Sequence, residues 1–166
     1  TIPINIGFIA SYTKKCFLKD VDIHLYKYPK TMIDAIKESP PDVVALSNYS
    51  WNSHLSEHVA GIAKQYNKNI VTVQGGTNFP HRTDMQLEFM KKRPNTDIFV
   101  EYEGESAFSQ IIQRILIARE NKQNIFEKAI SGCVFIDKES VHSVPGLCKG
   151  GPVKRIKDLD EIPSPY

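Results

Sequence analysis

Three short apolar runs, DVVALS at 42–47, NIVTV at 69–73 and DIFV at 97–100, each lead into an amphipathic stretch, and this alternation constrains the fold more than any other feature of the chain. Near-continuous β-branched runs suit strands covered on both faces. Strands separated by helix-length patterns are the mark of βαβ units and a parallel sheet. After the first run, residues 52–66 put Leu55, Val59, Ile62 and Ala63 on one predicted helical face. Residues 84–92 form a second helical stretch, and residues 105–119 a third that carries Phe108, Ile111, Ile112, Ile115 and Leu116. The run at 42–47 is expected at the centre of the sheet.

Upstream the same logic continues. Residues 4–16 read as a helix with Ile6, Ile9 and Ala10 on one face, although Ile2, Ile4, Ile6 and Phe8 also alternate as a strand does. Val21, Ile23 and Leu25 alternate and predict a strand over 21–26. Residues 31–38 read as a short helix with Thr31 as a candidate N-cap, stopped by the Pro40-Pro41 pair. GCVFID at 132–137 and residues 140–143 suggest a small closing β-hairpin outside the main repeat. The expected class is therefore α/β, a doubly wound and mostly parallel sheet, over residues 1–148. Residues 149–166, rich in Gly, Pro and charge, read as a linker.

Composition removes several classes of function. Apolar residues make up 41% and charged residues 24% of the 166, as in a globular domain with a core of its own. With 21 basic against 19 acidic residues the net charge is +2, which gives no electrostatic case for nucleic acid or an anionic membrane surface. No apolar run approaches a membrane span, and the first residues carry no basic leader pattern. Cys16, Cys133 and Cys148 are odd in number and widely spaced, which fits reduced thiols in a cytoplasmic protein better than a disulfide framework.

Open α/β sheets bind ligands beyond the carboxyl ends of their strands. That rule selects three segments. SNYSWNS, after the first apolar run, offers small polar groups and two aromatics, Tyr49 and Trp51; Ser50, Asn52 or Ser53 also suit the cap of the following helix. QGGTNFP brings a glycine pair, Gly75 and Gly76, through which a backbone can approach a bulky ligand. EYEGES places Glu103 and Glu105 near a helix start, where carboxylates interact well with the helix dipole. Neither GxGxxG nor a phosphate-binding GK[ST] loop occurs, so dinucleotide binding has little support. His54 and His58 lie four residues apart with Glu57 between them, but SHLSEH is not a zincin order and has no evident third ligand.

Taken in order, PINIGFIASY, DVVALSNYSWN, VTVQGGTNFP, TDIFVEYEGESAF, GCVFID and RIKDLDEIPSPY resemble the cobalamin-binding domain that precedes the catalytic barrel in many radical S-adenosylmethionine enzymes. The resemblance covers essentially the whole chain. It implies a Rossmann-like or flavodoxin-like cobalamin-binding fold, with cobalamin across the strand ends. Carried over by position, it implies cofactor-binding roles for Ser47, Asn48, Tyr49 and Trp51, for Gly75, Gly76, Thr77, Asn78 and Phe79, and for Glu101, Glu103, Gly104 and Glu105, with Tyr49, Trp51 and Phe79 packing the corrin. The CxxxCxxC triplet of that family is absent here. The resemblance therefore assigns S-adenosylmethionine and a 4Fe-4S cluster to a C-terminal barrel of the same polypeptide, the expected partner, acting on a small-molecule or peptide substrate by methyl transfer or rearrangement. Asp22 and His24 match only part of the DxHxxG pattern of many cobalamin proteins, with Lys27 in place of the glycine, so no protein ligand to cobalt is assigned. The rival readings are a cobalamin-free structural domain of the same enzyme class and a nucleotide- or flavin-binding α/β protein.

Overall fold

In the computed structural model, which describes residues 3–121, 124–137 and 146–166, the chain forms three layers. The sheet holds β1 (Val43–Ser47), β2 (Val71–Gly75), β3 (Ile98–Val100), β4 (Cys133–Phe135) and β5 (Cys148–Lys149), in that spatial order. The first three strands are parallel, in the registers Val43↔Val71 and Val73↔Ile98. β4 and β5 then join antiparallel, with Ile98 opposite Phe135 and Phe135 opposite Cys148. The C-terminal pair thus extends the main sheet rather than standing outside it. Its second arm lies at Cys148–Lys149, and the hairpin arm expected at 140–143 falls outside the described residues.

Five helices cover the sheet: α1 (Ile4–Phe17), α2 (Pro29–Glu38), α3 (Ser53–Tyr66), α4 (Thr83–Lys91) and α5 (Gly104–Asn121). Side chains alternate across each strand, so every strand feeds two cores. Val73, Ile98, Val100, Cys133 and Phe135 point to one face, where they pack with Ala107 and Ile111 of α5. Val44 points to the other, among Ile36 of α2 and Val59 and Ala63 of α3. Phe99 and Val134 meet Met90 of α4 on that same second face. The helix at 4–16 is borne out, and residues 4–8 are therefore helical, not extended. α2 begins at Pro29, whose fixed φ and missing N–H suit a first helical position.

Several sequence-based expectations need correction. Among the described residues the 21–26 segment pairs with no strand and belongs to no sheet, although Val21, Ile23 and Leu25 are half-buried while Asp22 and His24 are exposed. β1 is an edge strand and not a central one, and its Ala45 is exposed. An apolar run suits a covered strand, but it does not guarantee cover on both faces and says nothing about which strands lie on either side. Thr31 is not the N-cap of α2, because the helix starts two residues earlier; its hydroxyl donates to the Tyr28 carbonyl at 2.8 Å. On α3, Val59 and Ala63 face the core as expected, but Leu55 is 45% exposed and Ser53, Ser56 and Ala60 take the buried stripe.

Residues 149–166 are not a free linker. Gly150 N–H donates to the Cys133 carbonyl at 2.9 Å, and Val153 packs against the α5 core. Arg155 pairs with Glu103 at 2.5 Å. Beyond a single 3₁₀ turn at Leu159–Glu161, the Ser11 hydroxyl of α1 donates to the Pro163 carbonyl at 2.7 Å. A Cβ on Gly7 would lie 2.8 Å from the Pro165 ring, so the glycine lets this strap lie flat on α1. Pro-rich composition fits a docked extended strap as well as it fits a linker, and only the contacts tell them apart.

Candidate functional site

In a parallel strand–helix unit the helix starts at the carboxyl end of the strand. The starts of α3 and α5, which follow β1 and β3, therefore gather at one edge of the sheet. Asn5 of α1 donates its side-chain amide to the Tyr49 hydroxyl at 2.8 Å, which joins the first helix to the loop after β1. A cleft of about 1480 Å³ opens at this edge and runs down along β1. Ser47, Tyr49, Gly75, Gly76, Thr77, Phe79, Glu101, Glu103, Gly104 and Glu105 line it, so the structure brings ten of the thirteen residues singled out by sequence to one site. Asn48, Trp51 and Asn78 do not line it.

The loop after β1 presents a flat aromatic surface. The rings of Tyr49 and Trp51 are stacked 4.8 Å apart and 5° from parallel. Trp51 is 80% exposed, with its outer face turned to solvent. The loop is pinned from below: the Tyr49 N–H donates to the Asn52 side-chain oxygen at 2.7 Å, and the Asn52 amide donates to the Ser47 hydroxyl at 3.0 Å. Asn52 is the N-cap residue of α3 but bonds the loop instead of the helix. Ser53 is likewise no cap; it accepts from Arg93 at 2.8 Å inside the domain.

Asn48 is fully buried and holds the glycine loop in place. Its amide donates to the Gln74 side-chain oxygen, and its own oxygen accepts from Asn78 at 3.0 Å. Gln74 passes the chain on to Thr96 at 2.6 Å, and Thr96 donates to Glu57 at 2.8 Å. Arg93 flanks this network, stacked 3.5 Å over the Phe89 ring; burial lowers its pKa, and nearby Glu57 opposes that shift. The glycine pair has a nearer reason than ligand approach. Gly76 has φ +143, and a Cβ there would lie 2.3 Å from the Asn48 carbonyl oxygen. The absent side chain makes room for the neighbouring loop.

Two of the expected contact residues are turned inward. The Phe79 ring stacks 4.1 Å from Phe99 and meets Phe89 edge-on, as part of the α4-side core. Glu101 is 8% exposed, accepts from Gln86 at 2.8 Å and pairs with Lys149 at 2.9 Å. It thereby ties the start of the strap to the sheet. Glu103 reaches Arg155 of the same strap, and Glu105 lies in the first turn of α5.

Sequence reasoning passed over Tyr102, which lies within the EYEGES segment. It is 80% exposed, lines the cleft and has φ +56, a conformation that costs a non-glycine residue roughly 1–2 kcal/mol. An exposed tyrosine held at positive φ on the rim of a cleft is the kind of outlier from which function is inferred. His81 also lines the cleft, as does Asn52, which the sequence offered as a helix cap. No group of three or more His, Cys, Asp or Glu side chains among the described residues could hold a metal ion by itself.

The fold and this edge define a class, the α/β cofactor-binding domains. The B12 binding domain model matches residues 1–112, and the chain belongs to that family. It is 35% identical to the cobalamin-dependent radical SAM methyltransferase TokK of Streptomyces tokunonensis over 99% of its own length. It is 28% identical to 2-(S-pantetheinyl)-carbapenam-3-carboxylate methyltransferase of Streptantibioticus cattleyicolor, again over 99% of its length. In each case it spans 23% of the relative, less than a quarter. In fold it is similar to the selenomethionine-labelled apo form of OxsB, a cobalamin-dependent S-adenosylmethionine radical enzyme. The TM-score is 0.61 at 17% identity, over 96% of this chain and 21% of that one. No helix among the described residues is long and apolar enough to cross a membrane.

Proposed function

We propose that this chain is the cobalamin-holding module of a radical S-adenosylmethionine enzyme, and that the corrin rests on the strand-end edge described above. The observation that carries the reading is the exposed Trp51 ring stacked on Tyr49, a residue that lines the cleft, within a domain of the B12-binding family. The site fits the group: a flat aromatic face suits the corrin, and Ser47, Thr77 and the loop amides supply hydrogen bonds for its amide fringe. When bound, cobalamin supplies a corrin-held cobalt able to carry a methyl group. The residues here bind it, orient it and shield one side of it from water. Tyr49, Trp51, Thr77 and Tyr102 are the contact residues; Asn48, Gln74 and Asn52 hold their loops.

The relatives' names support methyl transfer as the reaction of the whole polypeptide. S-adenosylmethionine, the 4Fe-4S cluster and the substrate, a small molecule or peptide, belong in this reading to a barrel joined after the strap. The three free cysteines suit a reducing cytoplasm. The inward commitment of Asn48, Phe79 and Glu101 favours a second reading, a cobalamin-free structural domain. Incubating the purified polypeptide with hydroxocobalamin, desalting it and recording the visible spectrum separates the two. Retained corrin absorbance is the expected result, and its loss on desalting both this chain and the longer enzyme selects the structural reading.

A further inference from the structure

β3 ends at Val100 and α5 begins at Gly104, so Glu101, Tyr102 and Glu103 carry the chain from sheet to helix. Tyr102 takes φ +56 in this turn, is 80% exposed and lines the cleft. Among the described residues it has no hydrogen bond or ring contact of its own to offset the strain. A strained conformation persists only where its surroundings over-determine it. Here they do so from both sides, each time through the strap. Glu101 accepts from Lys149 at 2.9 Å and from Gln86 of α4 at 2.8 Å, while its backbone N–H donates to the Gly132 carbonyl at 2.8 Å. Glu103 accepts from Arg155, further along the strap, at 2.5 Å. Between these two cations the strap is fixed to the sheet and to α5. The Gly150 N–H donates to the Cys133 carbonyl at 2.9 Å, the Gly132 N–H donates to the Gly151 carbonyl at 2.8 Å, and Val153 packs against the α5 core. Lys149 and Arg155 are thus two arms of one bracket that holds the residues on either side of Tyr102.

We infer that Lys149 and Arg155 are positioning residues for the cofactor edge: by holding Glu101 and Glu103 they keep Tyr102 in its left-handed conformation, with its ring presented at the cleft to a flat ligand face. This rests on the reading of that edge as a cobalamin site, and adds what sets its affinity. A ring held in place during folding leaves little ordering cost for binding to meet. With the bracket released, Tyr102 relaxes toward negative φ, where an L residue has the lower energy, and the ring leaves its place. Arg155 is exposed and Glu103 only half-buried. Such an ion pair adds little to stability, so Arg155 acts on where the turn stands and not on whether the domain folds. The link runs in both directions: whatever lifts the strap weakens cofactor binding, and a bound cofactor fastens the strap by the same factor.

A double-mutant cycle read in hydroxocobalamin affinity, by equilibrium dialysis of the purified polypeptide, is the test. Arg155→Gln is expected to raise the dissociation constant roughly fivefold at an unchanged melting temperature, and Arg155→Lys to bring it back to within about twofold of the parent. Tyr102→Ala is expected to raise it about tenfold, and Arg155→Gln added to Tyr102→Ala to change it by less than about twofold, because the ring through which Arg155 acts is gone. Parent affinity in Arg155→Gln overturns the inference, and so do fold-changes that simply multiply in the double variant. A second measurement needs no cobalamin. Glycine adopts positive φ without strain, so Tyr102→Gly should raise the melting temperature of the ligand-free protein by about 2–4 °C. In a Lys149→Met, Arg155→Gln background, where Tyr102 is already free to relax, the gain should fall to less than half. An equal gain in both backgrounds overturns the bracket and leaves the cobalamin reading standing. A parent that binds no hydroxocobalamin but shows the unequal gains overturns that reading, and with it the role of Tyr102 in binding, and leaves the bracket standing.

Discussion

Replacing Trp51 with alanine separates binding from folding more cleanly than any other change at this site. The side chain is 80% exposed, so its loss should move the unfolding free energy by no more than about 0.5 kcal/mol. In the proposed complex one indole face lies on the corrin. A tryptophan buries 150–250 Å² when fully covered, so one face is roughly 100 Å². At about 25 cal/mol per Å² this contributes about 2.5 kcal/mol, and with 1.4 kcal/mol per tenfold the dissociation constant rises about 60-fold. Tyr49 holds the indole in plane through the stack, and Asn5 fixes Tyr49 through its hydroxyl, so little ordering cost is left for binding to meet. The assay is equilibrium dialysis against hydroxocobalamin read in the visible, beside a thermal melt of each variant. Tyr66→Ala is the control: it removes a half-exposed aromatic at the far end of α3 and should change neither quantity. An affinity for Trp51→Ala within about threefold of the parent, at an unchanged melting temperature, would refute the placement of the corrin on this stack.

Three further outcomes follow from the same contacts. Gly76→Ala puts a Cβ against the Asn48 carbonyl at positive φ; the cost should be about 2–3 kcal/mol, a fall in melting temperature of roughly 5–10 °C in calorimetry, and an unchanged melt would show that the loop relaxes freely. Glu101→Gln leaves Lys149 without its carboxylate and should lower stability by about 2 kcal/mol, read as a shifted denaturant midpoint at constant slope; a Glu101→Gln, Lys149→Met double-mutant cycle should show coupling near 1 kcal/mol, and additivity would deny the pair any role in fastening the strap. Burial pushes the Cys133 thiol up to about 12, so at pH 8 it carries almost no thiolate; an aromatic disulfide reagent should label exposed Cys16 in the folded protein and Cys133 only on unfolding, and fast labelling of Cys133 would contradict its burial.

The sequence by itself determined which segments become helix or strand wherever the apolar period was strong, as in DVVALS, DIFV and the Phe108–Ile111–Ile112–Ile115 stripe. It also determined that three loops meet at one edge, because parallel strands with helical crossovers must bring their carboxyl ends together. Tertiary structure decided what neighbours what. Periodicity reports burial, not pairing, so it could not show that β1 is an edge, that 21–26 pairs with no strand among the described residues, or that the strap is docked. It could name Asn48, Phe79 and Glu101 as residues of the site loops, but not that they point inward, because the direction of a loop side chain is set by the hydrogen bonds and rings it meets after folding. Tyr102 was hidden for the same reason: a positive φ at a non-glycine residue has no local signal, since the surrounding fold, and not the residue, imposes it.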